Sequence, residues 1–166
     1  NIDSTVNLVI RSQAIGYDNP EYRAAKRFGI PVIGYPKALG YLMHEKRGIA
    51  VAGTHGKTTT SAMITFLFKY AGCDTDFVIG GEICGMGNSG VGKSGLLVVE
   101  ACEYKRSFLN LEPEVAIITS IEEDHLDYYR DIQDIRDSFE NFADRVIPTG
   151  ILIGMVDNPL VSFIIN

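Results

Sequence analysis

Residues 53–60 run Gly-Thr-His-Gly-Lys-Thr-Thr-Thr and follow the apolar stretch Ile49-Ala50-Val51-Ala52. That order suits a phosphate. Gly53 and Gly56 let the backbone turn tightly and bring its N–H groups close to anionic oxygens, with Thr54 and His55 between them. Lys57 can reach outer phosphates and the Thr58 hydroxyl can complete the shell of a magnesium ion, with Thr59 the next of three hydroxyls. A helix beginning here adds the positive end of its dipole. The usual loop of this type has Gly, four residues, then Gly-Lys-Ser/Thr, which would place the first glycine at position 51. That position is Val51, and Gly53 stands three residues before Gly56. The competing reading is an ordinary helix start behind a tight turn. Against it, the glycines, the lysine and the hydroxyls all fall where phosphate chemistry needs them.

Two further strand ends carry chemistry. Leu96-Leu97-Val98-Val99 ends in Glu100, with Glu103 just beyond, and the run 115–119 leads into Ser120-Ile121-Glu122-Glu123-Asp124-His125. A carboxylate closing a buried strand is costly unless it meets a cation, so Glu100 is a candidate metal ligand; a helix cap or a surface ion pair is the alternative. Asp124-His125 has the form of an imidazole with its orienting carboxylate. Ligands of open parallel sheets sit beyond the carboxyl ends of the strands. Thr58, Glu100 and His125 are therefore expected on one edge, offering two oxygens and one nitrogen. Magnesium prefers oxygen and water, which makes the imidazole the unusual member. His55 either fills its turn or approaches a phosphate or substrate. Tyr128 and Tyr129 are expected to pack beside the loop, and the charges of 130–136 to form a solvated helix face.

Alternating elements must position these groups, and they argue for an α/β fold with a largely parallel sheet. Strands are expected at 6–10, 31–33, 49–52, 77–81, 96–100, 115–119 and 151–153. Helices are expected from Asn19-Pro20 to about 28, from Pro36 to about 44, over 57–71, and over 131–146, where Ile132, Ile135, Phe139, Phe142 and Val146 share one face. Glu45-Lys46-Arg47-Gly48 forms a polar break suited to a domain joint. The glycine-rich stretch 80–95 is expected as a loop or loose hairpin. The apolar segment 161–166 has no evident partner, and the abrupt ends suggest a fragment.

At 166 residues, 46% hydrophobic and 22% charged, the chain fits one soluble globular unit. A net charge of −6 argues against a nucleic-acid surface. No apolar run approaches the roughly 20 residues that span a bilayer. Cys73, Cys84 and Cys102 are odd in number and lack metal spacing, which fits reduced thiols in a cytoplasmic protein. Cys102 stands out for its place between two carboxylates.

Taken together, these residues resemble the Mur ligase family of ATP-dependent, amide-forming enzymes of peptidoglycan synthesis. The shortened loop carries that likeness, with histidine at 55 typical of the branch acting on UDP-N-acetylmuramate. So do Val99-Glu100-Ala101-Cys102-Glu103 with Arg106-Ser107-Phe108-Leu109, and Glu123-Asp124-His125-Leu126-Asp127-Tyr128-Tyr129. Upstream, Ser12-Gln13-Ala14-Ile15 and Asp18-Asn19-Pro20-Glu21 extend it over nearly the whole chain.

The resemblance implies a P-loop-containing, mostly parallel, doubly wound central domain over 48–166. Before it, 1–47 would be the end of a Rossmann-like, UDP-sugar-binding N-terminal domain, and the C-terminal amino-acid-binding domain would be absent. It implies ATP and Mg2+ as cofactors, with UDP-N-acetylmuramate and L-alanine as substrates joined through an acyl phosphate. Residues 53–59 would cradle ATP, Lys57 would steady the transferring phosphoryl group, Thr58 and Glu100 would hold one magnesium, and His125 would help hold a second. Two departures stand out. Ser120 occupies a position often held by asparagine, which would weaken a contact there. No lysine follows Lys105 to serve as a carboxylated metal ligand, which suits the alanine-adding branch. The alternatives are a ligase that recycles a tripeptide onto the same nucleotide sugar, or a nucleotide-binding module without catalysis. A generic phosphate-loop kinase or GTPase is a third reading, but no guanine-reading Asn/Thr-Lys-x-Asp stretch is present.

Overall fold

Two sheets organise residues 2–166, the part of the chain described by the computed structural model. In the first, β1 (Val9–Arg11) pairs in parallel with β2 (Val32–Gly34). Between them runs α1 (Pro20–Arg27), whose cap Asn19 accepts from the N–H groups of Glu21 and Tyr22, while Pro20 occupies a position that needs no donor. After β2 comes α2 (Tyr35–His44). The expected strand at 6–10 starts late because Val6 closes a turn, donating its N–H to the Asp3 carbonyl.

The second sheet has the order β5-β4-β6-β3-β7-β8. Its strands are β3 (Arg47–Ala52), β4 (Asp76–Ile83), β5 (Gly87–Gly90), β6 (Leu96–Glu100), β7 (Val115–Ile118) and β8 (Ile151–Gly154). All neighbours are parallel except β5, which runs antiparallel to β4. Strand alternation assigns the side chains to two cores. On one face Ala50, Ala52, Leu97, Val99, Ala116 and Ile118 meet α4 (Ile132–Ala143) and α5 (Pro159–Ile165). On the other, Ile49, Phe77, Ile79 and Val98 meet Ala62, Ile64 and Phe68 of α3 (Lys57–Tyr70). Helices on both faces explain why the central strands are continuous apolar runs. Phe108 anchors the first core, stacked on Phe142 at 4.8 Å and edge-on to Phe139 at 5.2 Å.

Three expectations change. The polar break at 45–48 is partly strand, since Arg47 already pairs with Leu96 and grips Glu114 through two bonds of 2.9 and 2.8 Å. The stretch 80–95 is a hairpin with a register shift only as far as Gly90 and a loop beyond it, and Gly80 and Gly81 belong to β4. The terminal apolar segment does have a partner. It is α5, capped by Asn158, with Val161 fully buried and lying over Gly154. The sequence reading also lacked the 3-10 turns Tyr104–Asn110. Among the described residues, no helix is long and apolar enough to cross a membrane.

Candidate functional site

Because β3 lies between β6 and β7, the loop 53–56 emerges between Glu100 on one side and 119–125 on the other. Gly53 and Gly56 adopt φ of 140° and 80°, which only glycine takes without strain. A Cβ on Gly53 would stand 2.0 Å from Thr119 Oγ1. Thr119 Oγ1 can donate to the carbonyls of Ala52 (3.1 Å) and His55 (2.5 Å). Thr54 N–H donates to the Ser120 carbonyl at 2.8 Å, and Thr54 Oγ1 accepts from Glu122 N–H at 2.9 Å. Ser120 Oγ accepts from His55 N–H at 3.1 Å, so the serine in the asparagine position backs the loop directly. These supports were not read from the sequence; the clue was a run of hydroxyls where a buried strand meets the loop.

Lys57 turns inward. Its ammonium donates to the carbonyls of Gly53 (2.5 Å) and Thr54 (3.1 Å) and to Glu103 Oε1 (2.9 Å). Those three contacts match its three donors. Glu103, noted in the sequence but not assigned a role, is buried with its side chain 4% exposed. Its Oε2 is buried and has no hydrogen-bond partner among the described residues. His125 Nε2 lies 3.8 Å from the same Oε1. Asp124 does not orient the imidazole as expected. Its Oδ1 accepts from the backbone N–H of His125 at 2.7 Å and stays 3.8 Å from Nδ1, beyond hydrogen-bond reach. The ring instead packs on Tyr104, centroids 4.7 Å apart, and the His125 backbone is left-handed at φ 53°. Among the described residues, Glu103, Asp124 and His125 bring potential ligand atoms within 4.8 Å of one another.

Glu103 is held from behind. Tyr129, which is buried, donates its hydroxyl to the Glu103 carbonyl at 2.5 Å and lies 3.3 Å from Ser138 Oγ. Lys105 and Arg106 are both left-handed, at φ 52° and 55°, a conformation that costs a side-chain-bearing residue about 1–2 kcal/mol. Arg106 is pinned there by Asp134, 2.8 Å away, and its guanidinium lies 5.5 Å over the Tyr129 ring. The charges of 130–136 are thus not all a solvated face, since Asp134 is buried.

Glu100 and Thr58 meet β4. Glu100 Oε2 accepts from Gly80 N–H at 2.7 Å, and a Cβ on Gly81 would fall 2.7 Å from Thr58 Cγ2. The site therefore has two ends, Glu100 with Thr58 against β4, and Lys57 with Glu103 and His125 toward β7. His55 is exposed, 3.7 Å from Glu122 Oε2, and Thr59 is exposed in the first turn of α3. A cavity of about 220 Å³ joins Ser12, Gln13 and Tyr35 to Glu100, Cys102 and Phe108. Burial raises the Tyr35 hydroxyl and the Cys102 thiol above their ordinary ranges. A second cavity of about 570 Å³ runs from His55, Gly56 and Thr60 to Ile118, Ile153 and Met155.

Comparison with known proteins adds the following. Residues 51–166 match the Mur ligase middle domain, and residues 1–47 match the Mur ligase family, catalytic domain. UDP-N-acetylmuramate–L-alanine ligase of Carboxydothermus hydrogenoformans is 48% identical over 159 residues, covering 95% of this chain and 34% of that protein. The enzyme of the same name from Desulfitobacterium hafniense is 43% identical over 154 residues, covering 92% and 34%. The chain spans about a third of the length of these curated relatives. Among solved structures, UDP-N-acetylmuramate-alanine ligase MurC from Thermotoga maritima has a TM-score of 0.82 at 28% identity, covering 96% of this chain and 37% of that one. A UDP-N-acetylmuramate:L-alanyl-gamma-D-glutamyl-meso-diaminopimelate ligase from Neisseria meningitides has a TM-score of 0.84 at 24% identity, covering 96% and 55%, a likeness of fold.

Proposed function

The chain belongs to the Mur ligase family, and from that premise we propose that the protein joins L-alanine to UDP-N-acetylmuramate in the cytoplasm, driven by ATP. The observation that carries this reading is the seating of a glycine-lysine-threonine loop on the central strand, with Glu100 and His125 on the two flanking segments. Residues 1–47 are taken as the end of the UDP-sugar domain and 48–166 as part of the ATP domain. The amino-acid-binding part is taken to lie outside these residues; that the chain spans about a third of its relatives' length supports this reading.

In this reading the backbone N–H groups of 53–59 and the positive end of α3 bind the ATP phosphates, and Lys57 neutralises charge on the transferring phosphoryl group. The lactyl carboxylate oxygen attacks the γ-phosphorus as the bond to the ADP oxygen breaks, giving an acyl phosphate. The alanine amine then attacks the acyl carbon, phosphate departs, and the amine loses a proton. Magnesium, when bound by Thr58 and Glu100 and by His125, supplies charge neutralisation on the phosphate oxygens. The residues fit such an ion, since the Gly80 N–H engages one oxygen of Glu100 and, among the described residues, the buried Oε2 of Glu103, the carboxylate beside His125, has no hydrogen-bond partner. No side chain forms a covalent bond; the chain's work is positional and electrostatic.

The test is amide formation by the full-length protein with ATP, magnesium and UDP-N-acetylmuramate, comparing L-alanine with a tripeptide. Alanine is the expected acceptor. Preference for the tripeptide, or no amide with either, would refute the assignment. The relatives of 43–48% identity are named for alanine, which favours it over the tripeptide.

A further inference from the structure

We propose that Glu103 is an exchange carboxylate: it pairs with Lys57 in the arrangement described above, and binds the cation at His125 once phosphate has drawn Lys57 away. The inference rests on the nucleotide reading above and goes beyond it in assigning Glu103 two successive partners. Lys57 cannot serve a phosphate as it stands, because all three of its donors are directed at Gly53, Thr54 and Glu103. An arriving phosphate competes for that ammonium and leaves Glu103 behind. A carboxylate whose side chain is 4% exposed is costly to leave there without a cation beside it.

The surroundings supply the replacement. His125 Nε2 is 3.8 Å from the oxygen that Lys57 would vacate, and Asp124 completes a set within 4.8 Å. Glu103 Oε2 is buried with no donor, an arrangement proteins rarely leave unused. The backbone that carries Glu103 is also fixed. Tyr129 holds its carbonyl, and the left-handed turn at Lys105 and Arg106 is fixed by Asp134. The carboxylate stays and its partner changes. Phosphate binding and cation binding at His125 are then coupled, each removing an obstacle to the other.

The test uses the full-length protein, a non-hydrolysable ATP analogue, and Mn2+ counted by electron paramagnetic resonance. In metal-free buffer, Glu103→Gln should bind the analogue several-fold more tightly than wild type, because Lys57 is no longer held back. With saturating analogue, the same variant should lose the Mn2+ at His125, its affinity falling tenfold or more, and keep the ion at Thr58 and Glu100. A purely structural role for Glu103 would weaken both bindings, and that result overturns the proposal, as does retention of both ions. Lys57→Met gives a second measurement that leaves Glu103 intact: without nucleotide it should bind one Mn2+ at least tenfold more tightly than wild type, and unchanged binding would be contrary. Wild type that binds no analogue sinks the nucleotide reading itself. Wild type that binds it, with Glu103→Gln indistinguishable, sinks only the exchange.

Discussion

A single methyl group at position 80 separates the role of Glu100 from the stability of the strand that faces it. Gly80 lies in β4 outside the left-handed region, so alanine suits its backbone. The added Cβ would stand 2.9 Å from each carboxylate oxygen of Glu100 and 3.0 Å from its carboxyl carbon. Those three atoms are its nearest neighbours, and they end a flexible side chain, so Glu100 yields and β4 does not. The displaced carboxylate loses the 2.7 Å bond from Gly80 N–H. Loss of a partner that orients a metal ligand typically costs about 10- to 100-fold in metal affinity, and turnover should fall with it. Folding should change by less than about 1 kcal/mol, because alanine recovers backbone entropy and the carboxylate can reach water. The melting temperature should then stay within about 4 °C of wild type. The assay is nucleotide-dependent Mn2+ binding and kcat/KM on full-length Gly80→Ala, with a thermal melt alongside. Binding and turnover within twofold of wild type at an unchanged melting temperature would show that Glu100 does not act from this position. A collapsed melt would show that the strand, not the side chain, gives way.

Two other substitutions probe the support behind Glu103. Tyr129→Phe keeps the buried ring and removes the donor to the Glu103 carbonyl, which should cost about 1–3 kcal/mol and lower the melting temperature by about 2–12 °C; an unaltered melt would mean that the carbonyl finds another donor. Asp134 carries a pH signature. Burial alone would raise its carboxyl, but bonds from Arg130 N–H and from the Arg106 and Arg130 guanidinium groups outweigh that and hold it below the usual range. A lowered folded value means stability present above the ordinary aspartate value of about 3.9, and lost as pH falls through the lower one. Asp134→Asn should therefore be less stable at pH 7, with the gap in urea midpoint narrowing as the acid limb is approached. A gap constant with pH would place its origin in packing.

The parts of this molecule legible in its sequence are those set by local rules. Glycines that need positive φ, the proline and asparagine that start α1, and the apolar spacing of α4 each declare themselves within a few residues. The strand order was not written locally. Its consequence was legible only through the general rule that ligands gather at carboxyl strand ends, which placed Glu100 and the 119–125 segment beside the loop. What escaped were contacts between residues far apart in the chain. Asp124 adjoins His125 in sequence and so drew the orienting role, yet the left-handed backbone at His125 points the imidazole toward Glu103, 22 positions earlier. Glu103 itself follows Glu100 by one turn of chain and looks redundant beside it. The two carboxylates separate because Glu100 still belongs to β6 while Glu103 opens the irregular turns that follow, which Tyr129 and Asp134 hold in place. Similar side chains three residues apart thereby acquire different partners, a strand N–H for one and a lysine for the other. Under the proposed exchange, that difference is what would let phosphate take the lysine of Glu103 while leaving the partner of Glu100 in place.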